Sequence, residues 1–222
     1  RSTLFPYTTL FRSALAVQAV AQADMMAAID QANNDPVVQG IILQLPIDDV
    51  SQTEKLCQLI APEKDVDGLG ASSIYPSATA QAIDWLLAGY NIELSDKQIA
   101  IVGRGKLVGA PLEKMWQQRG LNVQVYDKTN PATADSLRKC NVIVTATGVP
   151  HLITSEMIAP ETVVVDAGTA SEGGVLVGDV DDAVRQRSDI TITPQKGGVG
   201  PLTYAVLFDH LIEACLRQVG KL

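Results

Sequence analysis

Residues 99–111, I-A-I-V-G-R-G-K-L-V-G-A-P, carry the pattern most suited to chemistry in this chain. They sit between a predicted strand and a predicted helix. Gly103 can make the tight turn, Gly105 lets a backbone approach a pyrophosphate, and the following helix offers free N–H groups and the positive end of its dipole. The implied ligand is a dinucleotide. The spacing G-x-G-x-x-x-G is one residue longer than the usual fingerprint. Asp127, at the end of the next predicted strand, can accept hydrogen bonds from an adenosine ribose. A plain packing turn beside a solvated Asp127 is the alternative. Arg104 could grip a 2′-phosphate bidentately, but Asp127 repels that group, so the pattern favours NAD over NADP while admitting either.

Other reactive residue types give weaker patterns. Cys57, Cys140 and Cys215 are isolated, and only His151 and His210 could join them, which implies no metal centre. They read as core thiols of a reducing, cytoplasmic compartment. The run Asp179–Asp182 reads as a solvated turn and helix start. Lys and Arg number 17 against 25 Asp and Glu, a net charge of −8, which opposes binding to nucleic acid or an anionic membrane. No apolar run reaches the roughly 20 residues of a membrane span. At 222 residues and 46% apolar content, the chain is expected to fold with a sizeable core in one or two domains.

The elements that would position these residues follow from periodicity. Residues 1–13 have no clean period and resemble a translated adapter or vector scar, with an irregular genuine terminus as the alternative. A helix is expected over 14–32, stopped by Asn33, Asn34 and Pro36. The apolar run 40–46 suits a buried strand, 51–60 is helix-like, and 64–68 brings three charges to a turn. A helix over 78–90 places Ala78, Ala82, Ile83, Leu86 and Leu87 on one face. Strands at 98–102, 122–126, 142–145, 162–166 and 189–193 alternate with helices, and a last helix covers 202–219. This is an α/β chain with a doubly wound, mostly parallel sheet of Rossmann type.

Six ordered blocks resemble the methylenetetrahydrofolate dehydrogenase/cyclohydrolase family: D-P-V-V-Q-G-I-I-L-Q-L-P from Asp35, P-E-K-D-V-D-G from Pro62, V-G-R-G-K-L-V-G-A-P from Val102, V-V-V-D-A-G from Val163, V-G-D-V from Val177 and G-G-V-G-P-L-T from Gly197. The resemblance implies a partial catalytic lobe over 14–84, a nucleotide domain over 85–200, and a C-terminal helix, 201–222, returning to that lobe. It implies a homodimer that acts on tetrahydrofolate derivatives with NAD or NADP. Gln44 maps to the active-site glutamine and Asp67 to the carboxylate on the pterin. Physics permits both, since Asp67 can accept two bonds from an aminopyrimidine edge and Gln44 can orient a lysine and a water. A capping Gln and a turn Asp are the bland alternatives. Gly103, Arg104 and Gly105 map to the phosphate turn, Thr147 and Gly148 to the cofactor site, Thr169 to the nicotinamide side, and Gly198, Val199, Gly200 and Pro201 to the wall where nicotinamide meets folate.

The chain also departs from the family. The family's acid/base lysine lies in a Y-x-x-x-K helix upstream of the glutamine, yet the first lysine here is Lys55. The loop between Asp67 and Ala78 is shorter, C-T-P-x-G reads A-T-A-Q-A at 78–82, and Gln195-Lys196 replaces an apolar residue and Pro. Three readings follow: an enzyme fragment inactive without its lysine, a non-catalytic nucleotide-binding paralogue, and a different Rossmann dehydrogenase. The last does not account for K-D-V-D-G.

Overall fold

The computed structural model describes residues 22–173 and 175–222. Residues 1–13, and 14–21 of the first expected helix, lie outside them. The described part of that helix, α1 (Gln22–Asn34), runs two residues past the expected stop. Asn33 and Asn34 serve its end, donating through Nδ2 to the carbonyls of Leu59 at 2.6 Å and Asp30 at 2.8 Å. A 3₁₀ turn, Val50–Gln52, leads into α2 (Thr53–Leu59). Ile29, Leu56 and Ile60 form a small core between α1 and α2.

Residues 40–46 are not the expected buried strand. Among the described residues their pairing is one parallel bridge, Ile41 with Asp65, and Ile42 and Gln44 are exposed. An apolar run becomes a strand only beside a ladder of partners. The neighbouring segment here, 64–68, is itself a series of turns.

α3 (Ala78–Gly89) buries Ala78, Ala82, Ile83 and Leu87 as its spacing predicts, and adds Ala80. Then follow β1 (Ile99–Val102), α4 (Gly109–Gln118), β2 (Val123–Tyr126), α5 (Ala134–Leu137), β3 (Val142–Thr145) and β4 (Val163–Asp166). A hairpin, β5 (Ala170–Glu172) and β6 (Val175–Val177), precedes α6 (Asp182–Arg185), β7 (Thr191–Ile192) and α7 (Val199–Gln218). All five expected strands are present, in the parallel order β2-β1-β3-β4-β7. β1 and β3 are buried throughout, as their unbroken apolar runs require. Residues of α3, α4 and α7 pack on one face and those of α5 and α6 on the other, so the sheet is doubly wound. Strand order reverses between β1 and β3, which places the ligand crevice at their C-terminal ends. The antiparallel β5–β6 hairpin is an addition that periodicity did not indicate.

α7 begins three residues earlier than expected. Contrary to the expectation drawn from apolar runs, its 20 residues are long and apolar enough to cross a membrane by length and composition. One face nevertheless packs against the protein: Val206 joins the main core, and Leu211 and Ala214 lie with Val66 and Tyr75. His210 is buried, its Nδ1 2.7 Å from the Val66 carbonyl and its Nε2 3.0 Å from Gln81 Oε1, with its ring stacked on Tyr75. At the far end Gln218 Nε2 donates to the Pro36 carbonyl at 3.0 Å. α7 is thus fixed to both the 64–68 turns and the segment just after α1.

Candidate active site

The glycines after β1 differ in what requires them. Gly103 has φ +101°, a conformation that L side chains rarely adopt, and donates to the Tyr126 carbonyl at 2.8 Å. A Cβ at Gly109 would strike the Gly103 carbonyl oxygen, so this pair sets the close approach of β1 and α4. Gly105 has no such need: the one atom near its Cβ direction is the Ala146 oxygen, 4.0 Å away. The space before it is open. Val108, the N-cap of α4, makes no side-chain cap bond, and the Gly105 carbonyl takes part of that role by accepting from Ala110 N at 3.0 Å, while Pro111 has no N–H to satisfy.

Asp127 follows β2 directly. Its Oδ1 accepts from Thr129 N at 2.7 Å, Thr129 Oγ1 at 2.6 Å and Asn130 N at 3.1 Å, and these bonds hold its pKa below the ordinary carboxylate value. Asp127 is therefore an anion whose second oxygen remains for a ribose. Arg104 donates through Nε and Nη2 to Glu113 at 2.7 and 3.2 Å, which raises the guanidinium pKa further, with a smaller contribution from Asp127. To grip a 2′-phosphate, Arg104 would have to leave Glu113.

At the other end of the crevice, Thr147 and Gly148 follow β3 and Thr169 follows β4. The structure brings them together, since the Thr169 carbonyl lies 3.6 Å from the Cβ direction of Gly148, which has φ +68°. Beneath them lies an acidic network that the sequence reading missed. Asp179 is fully buried rather than solvated, and its Oδ2 accepts from Thr145 Oγ1 and from Thr147 N, each at 2.6 Å. Asp166 accepts from Gly168 N and Asp179 N at 3.1 Å each, and pairs with Arg185. Burial pushes the Asp166 carboxyl pKa up against these bonds. Both acids stand inside quoted blocks, D-A-G and V-G-D-V, beside glycines: a Cβ on Gly168 would strike Asp179, and one on Gly178 would strike Asp166. Those glycine–aspartate pairs were the available signal. Asp181 and Asp182 do start a helix, with Asp181 accepting from Ala183 N at 2.8 Å.

In the segment before α2, Gln44 is exposed and its Nε2 donates to the adjacent Leu45 carbonyl at 3.1 Å. Asp67 is half-buried, and among the described residues no donor reaches its carboxylate. Burial, with Asp65 nearby, raises its pKa from 3.8 to about 6. Gly68, at φ +69°, turns the chain against Pro76. The Asp67 carbonyl accepts from Ala78 N at 3.0 Å, and Ser77 Oγ donates to the Leu107 carbonyl at 2.9 Å, so two hydrogen bonds join the Asp67 turn to the nucleotide loop. Lys64 and Asp65 are buried in what was expected to be a charged turn. Lys64 Nζ donates to the carbonyls of Ala32, Asn33 and Asp35 at 2.7–2.9 Å, closing the C-terminal end of α1, where a cation is favoured. Asp65 Oδ2 accepts from Gly70 N at 2.7 Å.

Gly198 to Pro201 form the start of α7 rather than a loop. Gly198 is the N-cap, Val199 packs into the main core, and Gly200 and Pro201 are exposed. Of the residues expected to form a wall, Val199 therefore turns its side chain into packing. Cys57 and Cys140 are buried and burial raises both thiol pKa values, whereas Cys215 is exposed, against the expectation of a core position. His151 lies 3.9 Å from Asp181 in an exposed loop.

Comparison with known proteins fits this geometry. Residues 77–219 match the tetrahydrofolate dehydrogenase/cyclohydrolase NAD(P)-binding domain and residues 11–67 the catalytic domain of the same family. The chain is 35% identical over 212 residues to the bifunctional protein FolD of Lactobacillus gasseri, covering 90% of this chain and 74% of that one. It is equally similar, 35% over 210 residues with the same coverage, to that of Bordetella avium. Among solved structures it superposes on the Campylobacter jejuni bifunctional enzyme FolD with TM-score 0.82 and 31% identity, covering 90% of this chain and 74% of that one. The Trypanosoma brucei enzyme, complexed with NADP cofactor and inhibitor, gives TM-score 0.82 and 29% identity with the same coverage. With both of its domains matched, and an NAD(P) crevice where strand order reverses, this chain belongs to the tetrahydrofolate dehydrogenase/cyclohydrolase family of one-carbon folate metabolism.

Proposed function

We propose that this chain binds a nicotinamide dinucleotide across the crevice and a tetrahydrofolate derivative against Asp67, the pairing required to oxidise 5,10-methylenetetrahydrofolate and hydrolyse the methenyl product. The observation that carries the reading is Gly105, a glycine that no atom of the described residues requires, beside an open space after β1. Gly103 to Gly105 would hold the pyrophosphate and Asp127 the adenosine ribose, while Thr147, Gly148 and Thr169 would face the nicotinamide. A bound nicotinamide dinucleotide supplies the hydride acceptor. Asp67 would accept from the pterin, and Gln44 would orient water. NAD is favoured over NADP, because Asp127 is anionic and Arg104 is engaged by Glu113. A cytoplasmic homodimer completes the proposal, with light scattering as its check.

None of Lys55, Lys64 and Lys106 would serve as the family's lysine base in the hydrolysis. Lys55 is exposed on α2, Lys64 spends its donors on three carbonyls, and Lys106 pairs with Glu54. General-base catalysis needs a titrating group within hydrogen-bonding reach of the water. These positions also favour a second reading, a nucleotide-binding paralogue without turnover.

Titration calorimetry with NAD and NADP, followed by assays on methylenetetrahydrofolate and its methenyl product, tests both. Saturable nucleotide binding without methenyl hydrolysis is expected. Failure to bind either nucleotide overturns the site assignment. Hydrolysis at an ordinary enzymatic rate, roughly 1 s⁻¹ or faster, overturns the missing-base argument.

A further inference from the structure

We infer that Asp179 is a positioning residue that sets the nicotinamide half of the crevice, holding the turns after β3 and β4 in register through its carboxylate. The inference rests on the nucleotide-binding reading above.

Asp179 is 0% exposed, yet it belongs to neither turn. It comes from the segment after β6 and inserts between them. One oxygen accepts both the Thr145 hydroxyl and the Thr147 backbone N–H at 2.6 Å, so the turn after β3 is hung on it. Among the described residues the other oxygen has no hydrogen-bond partner, and it lies against Gly168, where any Cβ would collide with the carboxylate. The turn after β4 is thereby held by contact.

A buried carboxylate with an unpartnered oxygen is unfavourable for stability alone. A hydroxyl or an apolar group of similar size would fill the same space with less desolvation. What a carboxylate does that these cannot is accept two short bonds on one oxygen while its second oxygen meets the facing glycine. Asp166 fixes the far side, accepting from Asp179 N and pairing with Arg185, whose Nη1 donates to the Thr193 carbonyl at 3.0 Å. The network therefore ties together the C-terminal ends of β3, β4 and β7, makes no hydrogen bond to Gly105 or Asp127, and meets the phosphate turn only where the Ala146 backbone and Thr147 pack on Gly103. Its influence should fall mainly on the nicotinamide half of a dinucleotide.

The test compares ADP, which reaches only the Gly103–Gly105 turn and Asp127, with NAD and NADP, which reach both ends. Titration calorimetry on the full chain is run with Asp179→Ala, Asp179→Asn and Thr145→Val, alongside thermal melts. Asp179→Ala should weaken the preferred dinucleotide about tenfold and ADP less than twofold. Asp179→Asn keeps one acceptor oxygen for Thr147 and should restore most of the loss. Thr145→Val removes one of the two bonds, should weaken the dinucleotide about threefold, and serves where Asp179→Ala fails to fold. Equal losses for ADP and dinucleotide in the folded variants would make the network merely structural, and unchanged dinucleotide affinity would leave the turns independent of Asp179; either result overturns the inference. A wild-type chain that binds no nucleotide would instead overturn the underlying reading, and the inference with it.

Discussion

At Gly109 the constraint on the chain is local, one backbone segment pressed on another six residues away, whereas at Lys64 and His210 it comes from segments distant in sequence, and Gly103 meets both kinds, since a Cβ there would also strike the Ala146 carbonyl. The β1–α4 turn carries the first kind, and the 64–68 turns with α7 carry the second. A glycine turn works only with the residue that sterics permit, so its chemistry is written in adjacent letters. A lysine that closes a helix from beyond its end is indistinguishable in sequence from a solvated one. The nucleotide lobe can therefore lose function without losing its fold, while the folate lobe should lose both together.

The sharpest way to break this comparison is to place valine at Gly105 and at Gly109 in separate variants. Gly105→Val meets only open space, so its melting temperature should stay near wild type while nucleotide affinity falls by about a hundredfold or more, since a side chain enters the pyrophosphate path. Gly109→Val meets the Gly103 carbonyl and should destabilise the fold by roughly 3 kcal/mol or more. Equal melting temperatures in the two variants would deny that the glycines have different reasons. Chemical denaturation with calorimetry reads both effects.

The converse test lies in the folate lobe. Lys64→Met keeps the stem but strips three carbonyls at the end of α1 of their donor, and it should destabilise that lobe by about 3 kcal/mol. Amide exchange should report the loss over α1 and the 64–68 turns, with β1 and β3 protected as before. Uniform loss across both lobes would show that they unfold as one.

These two variants also mark where sequence reading succeeds. The five strands are legible because β1, β3 and β4 are short β-branched runs buried on both faces, and burial in a parallel sheet leaves an uninterrupted apolar signature. Asp67 and Gln44 were reached through ordered blocks, and periodicity alone would have left them as a turn and a cap. Residues 40–46 failed as a strand because strand formation depends on a partner ladder, which lies outside the run itself. Asp179 reads as solvated in sequence because three of the four residues in its run are acidic, and such runs usually face water. Its burial depends on Thr145 and Thr147, more than thirty positions earlier. Val199 was read as cleft wall because its block is distinctive, yet its side chain serves the core between α7 and the sheet.

Asp67 gives a smaller effect with a definite sign. Its folded pKa, about 6, lies above the unfolded value of 3.8, so between these values the folded state binds more protons than the unfolded one. Stability contributed by this group is present below pH 4 and declines as pH rises through 6. The shift corresponds to at most ~3 kcal/mol at 1.36 kcal/mol per unit, which solvent reaching a half-buried carboxylate reduces to about 1–2 kcal/mol. Asp67→Asn should therefore be more stable than wild type by about that much at pH 8 and equal to it below pH 4. If Asp67 also meets the pterin, the same variant should bind tetrahydrofolate derivatives more weakly at pH 8. A stabilised variant with unchanged folate affinity would keep the electrostatics and remove Asp67 from the site.

The smallest effect expected is on nucleotide choice, because the groups concerned are exposed. Asp127 is anionic and follows β2 where the adenosine ribose would lie, and Arg104, the nearby cation, is held by Glu113. A 2′-phosphate would meet the carboxylate first. Between unit charges about 4 Å apart in water, repulsion is roughly 1 kcal/mol, a factor of about five in affinity. Asp127→Ser should therefore improve NADP relative to NAD about fivefold, and raising ionic strength should shrink the gain, since exposed charges are screened. Glu113→Gln should act in the same direction by loosening Arg104, and the double variant should exceed either alone. An unchanged NAD-to-NADP ratio in Asp127→Ser, with a shifted one in Glu113→Gln, would assign the choice to the guanidinium. Preference would then rest on how firmly Glu113 holds Arg104 rather than on the acid after the second strand.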